Sequence, residues 1–189
     1  MTPIEITAAV FGFVCVWLTV RQNVWCWPTG LVQVLLYIGV FHQARLYSDM
    51  LLHVIYVFMQ VFGWYNWLYG GRGRSRLPVS RLTPRGLLAW TAASAAGTAA
   101  LGAFMSSLTD ADLPYWDAAT TVLSLTAQWL MAKKILESWM FWIIVDLLAI
   151  GIYGVKGLYP TTVLYGAFLV LATTGFLAWM KDLPEPAPA

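Results

Sequence analysis

Residues 17–67 read WLTVRQNVWCWPTGLVQVLLYIGVFHQARLYSDMLLHVIYVFMQVFGWYNW, and residues 129–179 read WLMAKKILESWMFWIIVDLLAIGIYGVKGLYPTTVLYGAFLVLATTGFLAW. Laid over each other without a gap, at an offset of 112 residues, they match Trp17 to Trp129, Trp27 to Trp139 and Gly39 to Gly151. Leu46-Tyr47 falls on Leu158-Tyr159, Gly63 on Gly175 and Trp67 on Trp179. With Val10, Leu18, Leu35, Leu36, Ile38 and Leu52 there are thirteen identities between residues 4 and 67. A chain this apolar gives roughly four or five by chance, and chance does not select Trp, Gly and Leu-Tyr. The two copies run in the same direction. A repeat within apolar spans is a common signature of a transporter whose binding site lies where the repeats meet.

The composition agrees with burial in lipid. Of 189 residues 60% are apolar and 11% charged, and the mean hydropathy is +0.68; soluble domains average about 25% charged residues. Seven stretches, near 4–20, 27–43, 50–69, 86–105, 115–132, 139–155 and 160–180, are long enough to cross a bilayer. They leave no room for a soluble domain, and no phosphate-loop motif marks an ATPase. The first stretch lacks a basic flank and a small-residue cleavage site, so it reads as a retained span. Cys15 and Cys26 are too few for a disulfide framework. His42 and His53 have no partner at metal-ligand spacing, so neither a metal nor another cofactor is implied.

The basic residues set an expected orientation. Arg21, Arg72, Arg74, Arg76, Arg81, Arg85, Lys133, Lys134 and Lys181 fall on one side, and only Arg45 and Lys156 on the other. The positive-inside rule makes the first side cytoplasmic, with the N-terminus outside and the C-terminus inside. It also accounts for the Gly-Arg run without nucleic-acid binding. The acidic loop with Asp110 and Asp112 falls outside.

Three spans per repeat is an odd number, so two directly joined copies would enter the membrane in opposite senses. The fourth span, rich in small residues from Ala92 to Ala103, restores the orientation. The predicted fold is an all-α polytopic membrane protein of seven helices, a three-plus-one-plus-three parallel repeat of the SWEET kind. The first repeat takes 1–69, a basic cytoplasmic linker 70–85, the inverting helix 86–106, the second repeat 107–181 and a disordered tail 182–189. Pro28, Pro114 and Pro160 sit where helices should begin, and Ser48 and Asp49 where the third span could be capped.

Polar side chains inside spans normally face a bundle interior or a water-filled cavity. Asp117, Thr121, Ser124 and Gln128 recur on one face of the fifth span, and Trp139, Trp142, Asp146 and Tyr153 on one face of the sixth. Tyr56, Gln60, Gly63, Trp64 and Trp67 share a face of the third, and Gln33 and Tyr37 lie in the second. Helix–helix hydrogen bonds and interfacial aromatic belts account for part of this, and Trp25, Trp27, Trp67 and Trp179 suit either a belt or packing. A carboxylate beside two indoles on one face, with amides nearby, also suits a flat and cationic ring. The candidate substrate-binding residues are Gln60, Trp64, Tyr56, Asp117, Thr121, Gln128, Trp139, Trp142 and Asp146. No nucleophile stands beside a base, which speaks against an enzyme.

Several segments together resemble the PnuC-type vitamin transporters, over nearly the whole chain. They are Asn23-Val24-Trp25-Cys26-Trp27-Pro28-Thr29-Gly30, Arg45-Leu46-Tyr47-Ser48-Asp49-Met50, Gln60-Val61-Phe62-Gly63-Trp64-Tyr65-Asn66-Trp67, Glu137 to Asp146, and Lys156-Gly157-Leu158-Tyr159. The resemblance implies the three-plus-one-plus-three fold in a bacterial inner membrane and one substrate site per subunit. It implies facilitated diffusion without ion coupling, most often of nicotinamide riboside, with trapping by a cytoplasmic vitamin kinase. It also implies that Trp139 and Trp142 bind or gate substrate with Gln60 and Trp64. Gly30 stands opposite Trp142, so the second Trp of that motif is missing from the first repeat. Thiamine and riboflavin are alternative cargoes within such a family, and a non-transport subunit or an enzyme is the alternative from another class. A homo-oligomer is left open.

Overall fold

The structure is a computed structural model that describes residues 3–43, 45, 47–108 and 113–183, with the side chains of 47–49 excepted. The side chains of the proposed caps Ser48 and Asp49, the acidic loop with Asp110 and Asp112, and the tail beyond 183 lie outside this description. Seven α-helices are present among the described residues: α1 Pro3–Val20, α2 Cys26–Gln43, α3 Tyr47–Tyr69, α4 Pro84–Leu108, α5 Pro114–Ala132, α6 Ser138–Val155 and α7 Tyr159–Lys181. A short 3₁₀ turn spans Arg72–Arg74. Pro114 opens α5 and Pro160 is the second residue of α7, where a missing N–H leaves no helical bond unmade.

The shortest helices have 18 residues, about 27 Å at a rise of 1.5 Å per residue. By length and composition α1, α4, α6 and α7 can cross a membrane, with mean hydropathies of 1.9, 1.4, 1.8 and 1.8. The other three carry more of the polar side chains: Gln33 and His42 on α2, His53, Gln60 and Asn66 on α3, Asp117 and Gln128 on α5.

The chain divides into two compact units. The first is Met1–Pro78 with Ala132–Lys134, and the second is Val79–Met131 with Ile135–Ala189. In the first, α1 packs on α2 and α2 on α3. The Trp27 ring of α2 lies flat against Gly63 of α3, so close that a Cβ there would enter the ring. Trp67, one turn further along α3, meets the Trp27 ring edge-on, with centroids 5.3 Å apart and planes at 83°. Trp27 is 2% exposed. The edge-to-face geometry sets the positive rim of one ring on the negative face of the other.

The second unit contains the same socket. A Cβ on Gly175 of α7 would come within 2.5 Å of the Trp139 ring. Trp179 meets that ring edge-on at 5.4 Å and 86°, and Trp139 is also 2% exposed. One packing device thus accounts for three of the matched pairs in the sequence. The turns before α2 and α6 also correspond. Asn23 N–H donates to Leu18 and Cys26 N–H to Asn23, just as Ile135 donates to Leu130 and Ser138 to Ile135. Gln22 and Lys134, 112 residues apart, both adopt positive φ, 53° and 55°, and so do Arg45 and Gly157, 59° and 70°.

Lys134 holds its left-handed conformation with help. Its Nζ donates to Leu77 O at 2.9 Å and stands 4.9 Å from the Trp67 ring centroid, and Asn66 Nδ2 donates to Ala132 O at 2.9 Å. In the second unit Glu137, buried, accepts from Leu82 N at 2.9 Å and Arg81 Nε at 3.3 Å. Leu136 N–H donates to Ser80 O at 2.9 Å. These bonds tie the chain before α4 to the start of α6.

The small residues of α4 do bring it close to α5. Ser94 bonds Thr126 at 3.0 Å, Gly97 faces Val122, and Gly102 accommodates the Tyr115 ring. The contacts run in opposite directions along the two helices, as an antiparallel pair requires. Ala127 and Leu130 of α5 and Phe141 of α6 form a buried cluster, against which Leu87, Trp90 and Trp142 pack.

Gly39 and Gly151 are matched too, yet a Cβ at either meets nothing within 4 Å. The sockets therefore give a controlled test. Gly175→Ala should lower the apparent melting temperature in detergent, because an overpacked core site costs about 1–3 kcal/mol. Gly151→Ala should leave it unchanged or raise it, since Ala is favoured over Gly within a helix by about 1 kcal/mol. Equal effects of the two changes would remove the steric role of Gly175.

Candidate functional site

In the first unit the candidate residues gather around Gln60. The α3 face carries Gln60, Gly63 and Trp67 inward, with Tyr56 half-buried and Trp64 at the exposed edge. Gln60 is 7% exposed and its amide rests on Gly30 of α2. A Cβ at Gly30 would lie 2.9 Å from both Cys15 Sγ and Gln60 Cδ, so glycine is what makes room for the amide. Gln33 rests on Gly12 of α1 in the same way.

Among the described residues Gln60 Oε1 has no hydrogen-bond partner, and neither does the indole N–H of Trp27. Most buried polar atoms are paired, and an unpaired one costs about 1–3 kcal/mol. An acceptor kept at that cost can receive a hydroxyl or carboxamide N–H from a ligand. His53 is not isolated. It packs among Tyr37, Phe41 and Tyr56, with ring centroids 4.9–5.7 Å away. No cluster able to hold a metal occurs among the described residues.

In the second unit, α6 turns Trp139 and Asp146 inward. Trp139 fills the socket at Gly175, and its indole N–H is buried without a partner among the described residues, as at Trp27. Trp142 is half-buried against Ala127, Leu130 and Phe141. Asp146 is 4% exposed. Asp117, by contrast, lines a separate cavity of about 130 Å³ where α5, α6 and α7 come together, with Tyr153, Lys156 and Tyr165. The two tyrosines stack, with centroids 5.4 Å apart and planes at 21°. Sequence reading missed Lys156 and Tyr165 as neighbours of Asp117, although Lys156, the residue that follows α6, is only three positions from Tyr153. Thr121 and Gln128 are half-buried and do not line this cavity, and the Thr121 carbonyl accepts the Ser124 hydroxyl at 3.0 Å. Of the tryptophans near helix ends, Trp27, Trp67 and Trp179 are packed, while Trp25 is 64% exposed.

The matched frame makes the differences between the units informative. Gly30 corresponds to Trp142 and Gln60 to Ala172, so small and large residues are exchanged between paired helices. Val34 corresponds to Asp146. The first unit offers an amide, and the second offers an indole and a carboxylate.

Apolar helices of spanning length with polar groups in their buried faces define a polytopic, α-helical integral membrane protein. Comparison with known proteins gives the particular class: residues 2–181 match the family model for the nicotinamide mononucleotide transporter. The chain belongs to that family, whose members are transporters and not enzymes. It is 24% identical to the nicotinamide riboside transporter PnuC of Escherichia coli (strain K12), over 96% of this chain and 87% of that one. It is 23% identical to the riboflavin/roseoflavin transporter RibM of Streptomyces davaonensis, over 97% and 88%. The crystal structure of the vitamin B3 transporter PnuC superimposes with a TM-score of 0.75 at 29% identity, covering 94% of this chain and 80% of that chain.

Because Gln60 Oε1 is buried with no partner among the described residues, removing this acceptor should not destabilise the fold. Gln60→Leu, similar in volume, should keep or raise the apparent melting temperature in detergent. A clear fall would show that the amide serves the fold through a bond of its own.

Proposed function

We propose that this protein carries a vitamin, nicotinamide riboside before others, across a bacterial inner membrane. Transport is facilitated diffusion by alternating access, and phosphorylation by a cytoplasmic vitamin kinase makes uptake one-way. Family membership and the PnuC relatives support a vitamin cargo. The observation that carries the site is the buried, unpartnered acceptor of Gln60. In this reading Gln60 accepts a hydrogen bond from the ligand, Trp64 and Tyr56 border it, and Trp142 offers a stacking face. Trp139 contributes its indole N–H, and Asp146 supplies negative charge to a cationic ring. Asp117, Thr121 and Gln128 form the polar face of α5 along the path. Similarity to RibM favours riboflavin as the second reading. Riboflavin is neutral and would gain nothing from Asp146.

The architecture we propose is the parallel three-plus-one-plus-three repeat, with repeats at 1–69 and 107–181, a linker at 70–85 and an inverting helix at 86–106. The corresponding turns and the two Trp-on-Gly sockets support it. The N-terminus is outside and the C-terminus cytoplasmic. Oligomerisation is not required by this reading.

Purified protein in liposomes should equilibrate nicotinamide riboside in either direction, with no ATP and no ion gradient. Accumulation above equilibrium that depends on a sodium or proton gradient would end the uniport reading. In calorimetric titration Trp142→Ala should lose about 2 kcal/mol, roughly thirtyfold in affinity, as expected for a desolvated cation–π contact. Asp146→Asn should weaken binding of nicotinamide riboside and spare a neutral-ring analogue. Equal weakening of both ligands would make Asp146 a structural residue.

Orientation is tested separately. In intact cells, a Ser75→Cys variant should resist impermeant thiol reagent added outside, and become reactive once the cells are opened. Labelling from outside would reverse the topology.

A further inference from the structure

The second unit holds another cavity that the transport reading does not use. It is a trough of about 490 Å³ along α4, α5 and α6. Thr91, Ala95 and Ala99 of α4 form one wall, and Met140 and Ile144 of α6 the other. All five are exposed to the surroundings of the chain. The trough exists because α4 presents small side chains where its neighbours present long ones. Its floor is apolar in effect, since the Ser94 hydroxyl is already bonded to Thr126 at 3.0 Å. Inside a bilayer such a recess must be filled, because its walls otherwise lose their dispersion contacts.

The charge at one end says what fills it. Leu87 closes the trough toward the start of α4, and exposed Arg85 lies two residues before it. Arg81, whose side chain is 59% exposed, precedes it; Glu137 engages its Nε, and the terminal nitrogens of the fork are open to a second acceptor. A trough that is apolar along its length and cationic at its rim matches a phospholipid with an anionic headgroup. A second copy of this chain matches it less well. On the side with nine of the eleven basic residues the acidic ones are Glu137, already engaged, Asp182 and Glu185. We propose that the α4–α5–α6 trough binds one acyl chain of an anionic phospholipid of the cytoplasmic leaflet, with Arg85 and Arg81 at its headgroup. None of the residues proposed to bind substrate lines this trough, and the choice of leaflet and the case against a second copy rest on the proposed topology. Basic pockets between membrane helices on that side recognise such headgroups.

The test uses the full chain, delipidated in neutral detergent, with phosphatidylglycerol or phosphatidylcholine of identical acyl chains added back. Native mass spectrometry and thermal unfolding read the outcome. Phosphatidylglycerol should be retained and raise the apparent melting temperature more than phosphatidylcholine does. Arg85→Gln should weaken its binding about fivefold. Ala99→Phe, or the milder Ala99→Leu if the first does not fold, should lose the bound lipid while vitamin binding persists. Equal retention of the two lipids would mean bulk solvation and overturn the proposal. So would a groove-filled variant that keeps its lipid but changes its oligomeric mass, because a second copy would then occupy the trough.

Discussion

The contact on which each unit turns is a tryptophan ring pressed against a glycine of the next helix. Trp27 on Gly63 and Trp139 on Gly175 set how closely α2 approaches α3 and α6 approaches α7. In lipid there is little hydrophobic drive between helices, so close packing at small residues carries much of the association. A large flat ring needs a flat place to rest, and only glycine leaves the helix surface bare. The second tryptophan, one turn along, then locks the ring from its edge. Helix spacing, ring orientation and the inward face of α3 and α7 all follow from this arrangement.

That arrangement leaves buried polar atoms without partners, and it does so in both units. The indole nitrogens of Trp27 and Trp139 are buried with no partner among the described residues. Gln60 sits one turn before Gly63, so the socket fixes which way its amide faces, and Gly30 provides the space. A chain selected for stability alone would place an aliphatic residue there. The buried Oε1, with no partner among the described residues, is the feature on which the proposed ligand contact rests.

The departures from the repeat are as informative as the matches. Gly30 against Trp142, Gln60 against Ala172 and Val34 against Asp146 exchange size and polarity at equivalent places on equivalent helices. Two copies of one packing scheme thereby present different chemistry.

Much of this was legible in the sequence, because membrane spans obey few and strong rules. Helix number followed from apolar length, helix starts from Pro114 and Pro160, and the transporter family from the order of the Trp, Gly and Asn segments. The offset of 112 was visible in part because a ring–glycine contact disfavours any larger residue at the glycine. Periodicity can assign a residue to a face, but not to a neighbour. It could not separate Trp67, which locks a socket, from Trp64 beside it, nor packed Trp27 from exposed Trp25. It grouped Asp117 with Thr121 and Gln128, whereas packing gives Asp117 to Tyr153, Lys156 and Tyr165. Nor could it show that Gly30 is glycine on account of an amide thirty positions away. Such pairings depend on how side chains from distant helices share space, and only the tertiary structure decides that.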